Sequence, residues 1–141
     1  ATAAYNDATL RRLISFCSCW KYGKLLVINL FGIISKSPSF LRNCSDPVGE
    51  ANDKVIMSLA YRWSLEKNWD LCLGWGNQGS YLHRNCKVIS LLQPYVSRRR
   101  SSLGMEFPLL SLGVTKNGSP RHPLYLSSKE LLRPFKLTTK L

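Results

Sequence analysis

Leu25-Leu26-Val27-Ile28-Asn29-Leu30-Phe31 is a continuous apolar run interrupted only by Asn29. A run of this kind, with β-branched residues at its centre, reads as a strand buried on both faces, and such strands belong to parallel sheets covered by helices. Just upstream, within residues 7–22, Leu10, Leu13, Ile14, Cys17 and Trp20 recur at helical spacing, with Arg11, Arg12, Ser15 and Ser18 on the other side. That spacing predicts an amphipathic helix. Asn6 or Asp7 is expected to cap its first turn, and Gly23 to follow its end in the left-handed conformation.

Downstream, residues 35–49 are rich in Ser, Pro, Asn and Asp and read as a long loop, with at most one helical turn around Phe40 and Leu41. Residues 50–63 resume helical period through Val55, Ile56, Leu59, Ala60 and Trp63. Asp70-Leu71-Cys72-Leu73-Gly74-Trp75-Gly76 is a short apolar segment ending in glycines, and residues 80–92 are again helical through Leu82, Cys86, Ile89 and Leu92. After Arg98-Arg99-Arg100 comes a third strand candidate, Pro108-Leu109-Leu110-Ser111-Leu112-Gly113-Val114. Residues 115–125 read as loop, and the tail after Ser127 as one helical turn at most.

This alternation predicts a three-layer α/β/α fold with right-handed crossovers and a short parallel sheet of three visible strands. Residues 1–137 are expected to form one α/β domain, with 138–141 as a tail. A doubly wound sheet normally starts on a strand, whereas this chain opens on the helix that should follow one. A missing first strand is therefore expected, whether from a late start, a fragment or a reduced sheet.

The composition agrees with a single globular domain: 141 residues, 45% hydrophobic and 20% charged. Lys and Arg number 20 against 8 Asp and Glu, a net charge of +12, so an anionic partner is expected. From Pro94 onward nine basic side chains face two acidic ones, placing +7 in that part of the chain. The longest apolar run, residues 25–34, is about half the roughly 20 residues a membrane helix needs, and residues 1–5 lack the features of a secretory signal. The expectation is a cytoplasmic protein with no membrane association. Five cysteines, at 17, 19, 44, 72 and 86, form no Cys-x-x-Cys pair and read as buried, reduced thiols. Neither a metal nor a cofactor is implied.

In open parallel sheets ligands bind at the carboxyl ends of the strands. That rule selects the loops following residues 25–31, 70–76 and 108–114. Asn29 ends the first strand, where a carboxamide can pair with the edge of a base or cap the loop. In the second loop, Gly74 and Gly76 permit close backbone approach and Trp75 offers a stacking surface beside Asn77; a tight turn with Trp75 at the core edge is the alternative. The third loop, Thr115-Lys116-Asn117-Gly118-Ser119-Pro120-Arg121-His122-Pro123, concentrates Lys116, Arg121 and His122 without an acidic neighbour and runs on to Tyr125. Lys116 and Arg121 suit a phosphate, and His122, between two prolines, suits a developing negative charge. An exposed basic loop with a structural histidine is the plainer alternative. Arg98-Arg99-Arg100 reads chiefly as a solvated linker and secondarily as a phosphate contact. P-loop, dinucleotide, zincin and α/β-hydrolase signatures are absent from the sequence.

Taken in order, Asn6-Asp7-Ala8-Thr9-Leu10-Arg11-Arg12, Val27-Ile28-Asn29-Leu30-Phe31, Asp46-Pro47-Val48-Gly49, Gly74-Trp75-Gly76, Leu112-Gly113-Val114-Thr115-Lys116-Asn117-Gly118 and Pro120-Arg121-His122-Pro123-Leu124-Tyr125-Leu126 resemble the bacterial and phage domain-of-unknown-function family 1643. The resemblance covers nearly the whole chain and brings no known activity. Members typically begin with a strand and an Asn-Pro-Ser segment upstream of the position of Ala1, in keeping with a missing first strand. More distantly, the strand order and the His-Pro loop look like the uracil-DNA glycosylase superfamily. That likeness implies a four-stranded parallel sheet, Asn29 as the base-recognising asparagine and His122 as the residue that stabilises the leaving base, with the water-activating loop in the absent segment.

Three readings follow: binding of a nucleobase, nucleotide or nucleic acid at the carboxyl edge, extending to glycosidase-like base chemistry with Asn29 and His122 as the catalytic pair; a non-catalytic nucleic-acid-binding module on the same edge; or an enzyme acting on a small anionic metabolite. In each, Trp75, Asn77, Thr115, Lys116, Arg121 and Tyr125 are the expected ligand contacts.

Overall fold

A computed structural model describes residues 8–28, 50–77, 83–123, 126–127 and 129–136. In chain order they form α1 (Ala8–Cys19), α2 (Glu50–Leu65), β1 (Leu71–Leu73), α3 (Arg84–Leu103), β2 (Leu109–Ser111) and β3 (Arg133–Pro134). The three strands make one sheet in the order β1-β2-β3. β1 and β2 are parallel, with Leu71 opposite Leu109 and Leu73 opposite Ser111, and β3 is antiparallel to β2, with Arg133 opposite Ser111. Helices combined with a small mixed sheet make this an α/β protein.

The parallel pair uses the second and third apolar segments, as expected. Of the first, residues 25–28 carry no strand pairing among the described residues, and Leu26 and Ile28 are 57% and 38% exposed. A short apolar run without alternation has no period to define its partners. Asn29, Leu30 and Phe31 lie outside the described residues, as do the capping positions Asn6 and Asp7, the loop 35–49 and Tyr125. The third strand comes instead from the tail, read above as a helical turn at most. Phe135 is buried there and its N–H donates to the Leu109 carbonyl at 2.8 Å, which makes the sheet mixed rather than wholly parallel.

α2 and α3 pack together over one side of the sheet. Ile56, Ala60 and Trp63 of α2, Val88, Ile89, Leu92 and Val96 of α3, Leu73, Leu109 and Phe135 form one buried cluster. Val55, placed on the buried stripe by its spacing, is 47% exposed; Ile56, Ala60 and Trp63 already satisfy the four- and three-residue steps of one helix face. A second cluster joins Phe16 of α1 to Leu112 and Leu126, with Trp20 and Leu132 packed against it. Phe16 carries the burial expected of Ile14, which is 53% exposed. The aromatic ring buries more apolar area, and Trp20 stacks on it with centroids 5.0 Å apart.

α1 ends in a Schellman motif. The N–H of Tyr22 donates to the Cys17 carbonyl at 2.8 Å and that of Lys21 to the Ser18 carbonyl at 3.2 Å, with Lys21 left-handed at φ 65°. The left-handed residue is thus Lys21, not Gly23. Because a side chain in that conformation costs about 1 kcal/mol, Lys21→Gly is expected to stabilise the fold by about 0.5–1 kcal/mol, read as a higher urea midpoint at unchanged slope. Just beyond, the Tyr22 hydroxyl donates to Asp70 before β1. Burial first, and that hydrogen bond second, push the Tyr22 pKa up to about 12.

α3 runs well past residue 92 and through Pro94. The proline is tolerated because Pro94 and Ser90, whose carbonyl loses its usual donor, are both exposed to water. The arginine run is therefore helical, not a linker, and its members diverge. Arg98 lies over the Tyr61 ring and Arg100 Nε donates to the Glu106 carbonyl at 3.1 Å. Arg99 is fully buried: its guanidinium donates to the carbonyls of Trp63, Glu66 (2.8 Å) and Trp69 (2.6 Å), with Lys67 at 3.4 Å, and stacks over the Trp63 ring. It caps the carboxyl end of α2 and the turn into β1. Burial lowers its pKa and Asp70, at 4.0 Å, opposes that shift. Nearer the start of α3, the buried Arg84 pairs with Asp53 at 2.7 Å, a second link between α2 and α3.

No described helix is long and apolar enough to cross a membrane. Cys17, Cys19, Cys72 and Cys86 are free thiols, but the last three are exposed rather than buried. Cys72 alternates with the core-facing Leu71 and Leu73, and Cys86 lies off the Val88–Leu92–Val96 stripe. Cys44 lies outside the described residues.

Candidate functional site

Parallel pairing of β1 and β2 sends the chain out of both strands at the same edge, so the loops 74–77 and 112–123 meet there. They are laced by hydrogen bonds. The Gly76 N–H donates to the Pro120 carbonyl at 2.8 Å and the Thr115 hydroxyl to Asn77 Oδ1 at 2.9 Å. The second loop is a small hairpin: Val114 bridges Pro120, the Thr115 N–H donates to the Ser119 carbonyl at 2.8 Å, and Gly118 turns the tip at φ 81°. Thr115 organises that tip as well, its hydroxyl oxygen accepting from the N–H groups of Asn117 and Ser119, both at 3.3 Å. Lys116 and Asn117 are thereby held at the exposed end of the hairpin.

Two glycines let the loops approach. Gly76 is left-handed at φ 67°, and a Cβ there would sit 3.2 Å from His122 Cβ; a Cβ on Gly113, at φ 97°, would sit 3.3 Å from Arg121 Cδ. The close approach that Gly74-Trp75-Gly76 permits is thus taken up by the chain's own 120–123 segment. Pro120 and Pro123 are buried, while His122 between them is exposed. Trp75 is half-buried against the larger cluster, its indole nitrogen shielded and without a hydrogen-bond partner among the described residues.

Of the residues singled out from the sequence, Trp75, Asn77, Thr115, Lys116, Arg121 and His122 come together on this edge. Asn29 and Tyr125 lie outside the described residues. The basic loop does have an acidic neighbour: Glu130 reaches Arg121 Nη1 at 3.6 Å and Arg133 Nη2 at 3.3 Å. Glu130 and Arg133 escaped the sequence reading because the tail reads as unstructured and only its pairing with β2 carries them to the site. A signal was present: Glu130 is one of two acids among the nine bases after residue 94. Nor does the whole excess of charge from Pro94 onward gather here, since Arg98, Arg99 and Arg100 are spent on α2, its carboxyl end and the 104–108 turn. Among the described residues no group of three His, Cys, Asp or Glu side chains is placed to hold a metal ion.

The chain belongs to the family described as Protein of unknown function (DUF1643), whose family model matches residues 1–124. No curated protein and no solved structure matches the chain.

Proposed function

We propose that the edge formed by residues 74–77 and 112–123 binds a nucleobase, nucleotide or nucleic acid, with Trp75 and Asn77 beside the base and Lys116 and Arg121 on phosphate. The observation that carries the reading is the lacing of the two loops, Gly76 to Pro120 and Asn77 to Thr115. It brings the open side of the half-buried Trp75, a carboxamide and cationic groups to one preorganised edge, the combination that recognition of a phosphorylated base requires. The position of this surface at the carboxyl ends of parallel strands supports it further. Glycosidase-like base chemistry is the extension of the same proposal: the exposed His122, on a backbone fixed by Pro120 and Pro123, serves to stabilise a departing base, with Asn29 as the base reader in a three-layer, glycosylase-like arrangement.

The test is a salt titration of binding to single-stranded DNA, RNA and mononucleotides. Affinity for the oligonucleotides should fall with salt, with a log–log slope of about −0.7 for each phosphate neutralised, and Lys116→Ala should reduce that slope by about 1 at most while leaving base preference unchanged. Absent or salt-independent binding overturns the proposal. Base release from a bound substrate that His122→Ala abolishes supports the catalytic extension, and release unchanged by that substitution removes it.

A further inference from the structure

Two guanidinium groups converge where the hairpin loop meets the tail. Arg121 Nη1 and Arg133 Nη1 lie 3.6 Å and 3.9 Å from the single point that a Cβ on residue 113 would occupy. With no side chain on Gly113, the Arg121 chain packs close over the backbone there, its Cδ 3.3 Å from that point, and both guanidinium groups border the same spot. Glu130 stands between them, offering Oε1 to Arg121 at 3.6 Å and Oε2 to Arg133 at 3.3 Å. Its side chain is 20% exposed, against 36% and 58% for the two arginines, so the carboxylate is the inner member of the group.

A carboxylate that spends one oxygen on each of two guanidinium forks occupies the place of two oxygens of a phosphate, for which the same forks have the matching geometry. We propose that Arg121 and Arg133 form a phosphate subsite and that Glu130 is its resident occupant, displaced when a phosphate enters. The inference rests on the reading of this edge as a nucleotide or nucleic-acid site for the identity of the ligand, and adds to it a residue pair and an internal competitor. Glu130 keeps the two like charges together while the subsite is empty. Its displacement is easy, because ion pairs this open to solvent are weak, and a phosphate dianion brings more charge than the carboxylate it replaces. One consequence is selectivity by charge: a phosphate monoester displaces Glu130 more readily than a singly charged carboxylate ligand does.

The experiment titrates inorganic phosphate and a nucleoside monophosphate into the full chain and into the Glu130→Gln, Arg133→Gln and doubly substituted chains. Glu130→Gln should bind inorganic phosphate about threefold to tenfold more tightly than the parent, the equivalent of removing two exposed ion pairs. Arg133→Gln should bind it more weakly than the parent, and the double variant should not recover the gain. Both replacements preserve side-chain size, and Arg133→Lys, which keeps charge but drops the fork, should fall between parent and Arg133→Gln. Equal phosphate affinity in parent and Glu130→Gln overturns the competition, and unchanged affinity in Arg133→Gln overturns the subsite. If inorganic phosphate follows this pattern while the nucleoside adds nothing to affinity, the subsite stands and the nucleotide reading fails. Nucleotide binding that ignores all the substitutions leaves that reading standing and overturns the subsite.

Discussion

Arg99→Met is expected to cost about 3–5 kcal/mol of folding stability, the range for removing one partner from a buried charged network. The methionine fills most of the volume but donates nothing. The carbonyls of Trp63, Glu66 and Trp69, which accept from the guanidinium now, then lose a partner in a region where Arg99 itself is wholly shielded. Each buried acceptor left without a donor costs about 1–3 kcal/mol, less where water can enter, and Glu66 is exposed enough for that. Arg99→Lys separates charge from geometry. A lysine keeps the attraction to Asp70 and to the carboxyl end of α2, but one ammonium cannot reach carbonyls fanned across the turn as a planar fork does. It should recover less than half of the loss. Urea denaturation of the three proteins decides the matter: an Arg99→Met loss below about 1 kcal/mol would show that the network contributes little. Domains of this kind have total stabilities of about 5–15 kcal/mol, so at the low end of that range the expected loss leaves a substantial unfolded population.

Gly76→Ala should cost about 1–3 kcal/mol and should also move His122. Two effects add. The backbone is left-handed at φ 67°, where an L side chain costs about 1–2 kcal/mol, and the new methyl would meet His122 Cβ at 3.2 Å, a contact that one of the two loops must open to relieve. Gly118→Ala is the matched control. Its φ is 81°, yet nothing lies within 4 Å of the added carbon, so it pays the conformational cost alone, about 1 kcal/mol. NMR of the His122 ring and of the Gly76 amide distinguishes the two. A shifted ring and a lost 76–120 hydrogen bond are expected in Gly76→Ala only, and identical spectra in both variants would mean that the loops are not packed as described. Under the proposed nucleotide reading, oligonucleotide affinity should fall with the same variant, since the lacing places Trp75 and His122 relative to one another.

The segments 71–73 and 109–111 were legible because each is a short apolar run followed within three residues by a left-handed glycine, Gly76 or Gly113, and the rule of carboxyl ends then places the loops that follow them. Residues 25–31 look at least as apolar, yet 25–28 pair with nothing described, since apolarity alone supplies no partner. Arg99 was legible in principle. Leu92, Val96 and Arg99 continue one helical stripe at steps of four and three residues, but Pro94 reads as a stop and breaks the count before the arginine run is reached. Phe16 was missed for a related reason: position counting assigns a face without weighing how much area each side chain buries. Glu130 and Arg133 depend on a two-residue strand whose pairing is set by Phe135 entering a core about 25 residues distant in sequence at Leu109, and no local pattern encodes that.

The same short strand has a consequence for the outer rim of the sheet. In an antiparallel ladder successive residues present their backbone groups alternately inward and outward. Phe135 points inward, donating to Leu109, so the intervening outward position is Pro134, which has no N–H to offer. A foreign strand approaching along that rim finds no donor at the place where pairing would begin, and the lysine at position 136 adds a charge beside it. Sheets exposed at their margins commonly guard against chain-to-chain addition in this way, and here the guard consists of the residues that complete the fold.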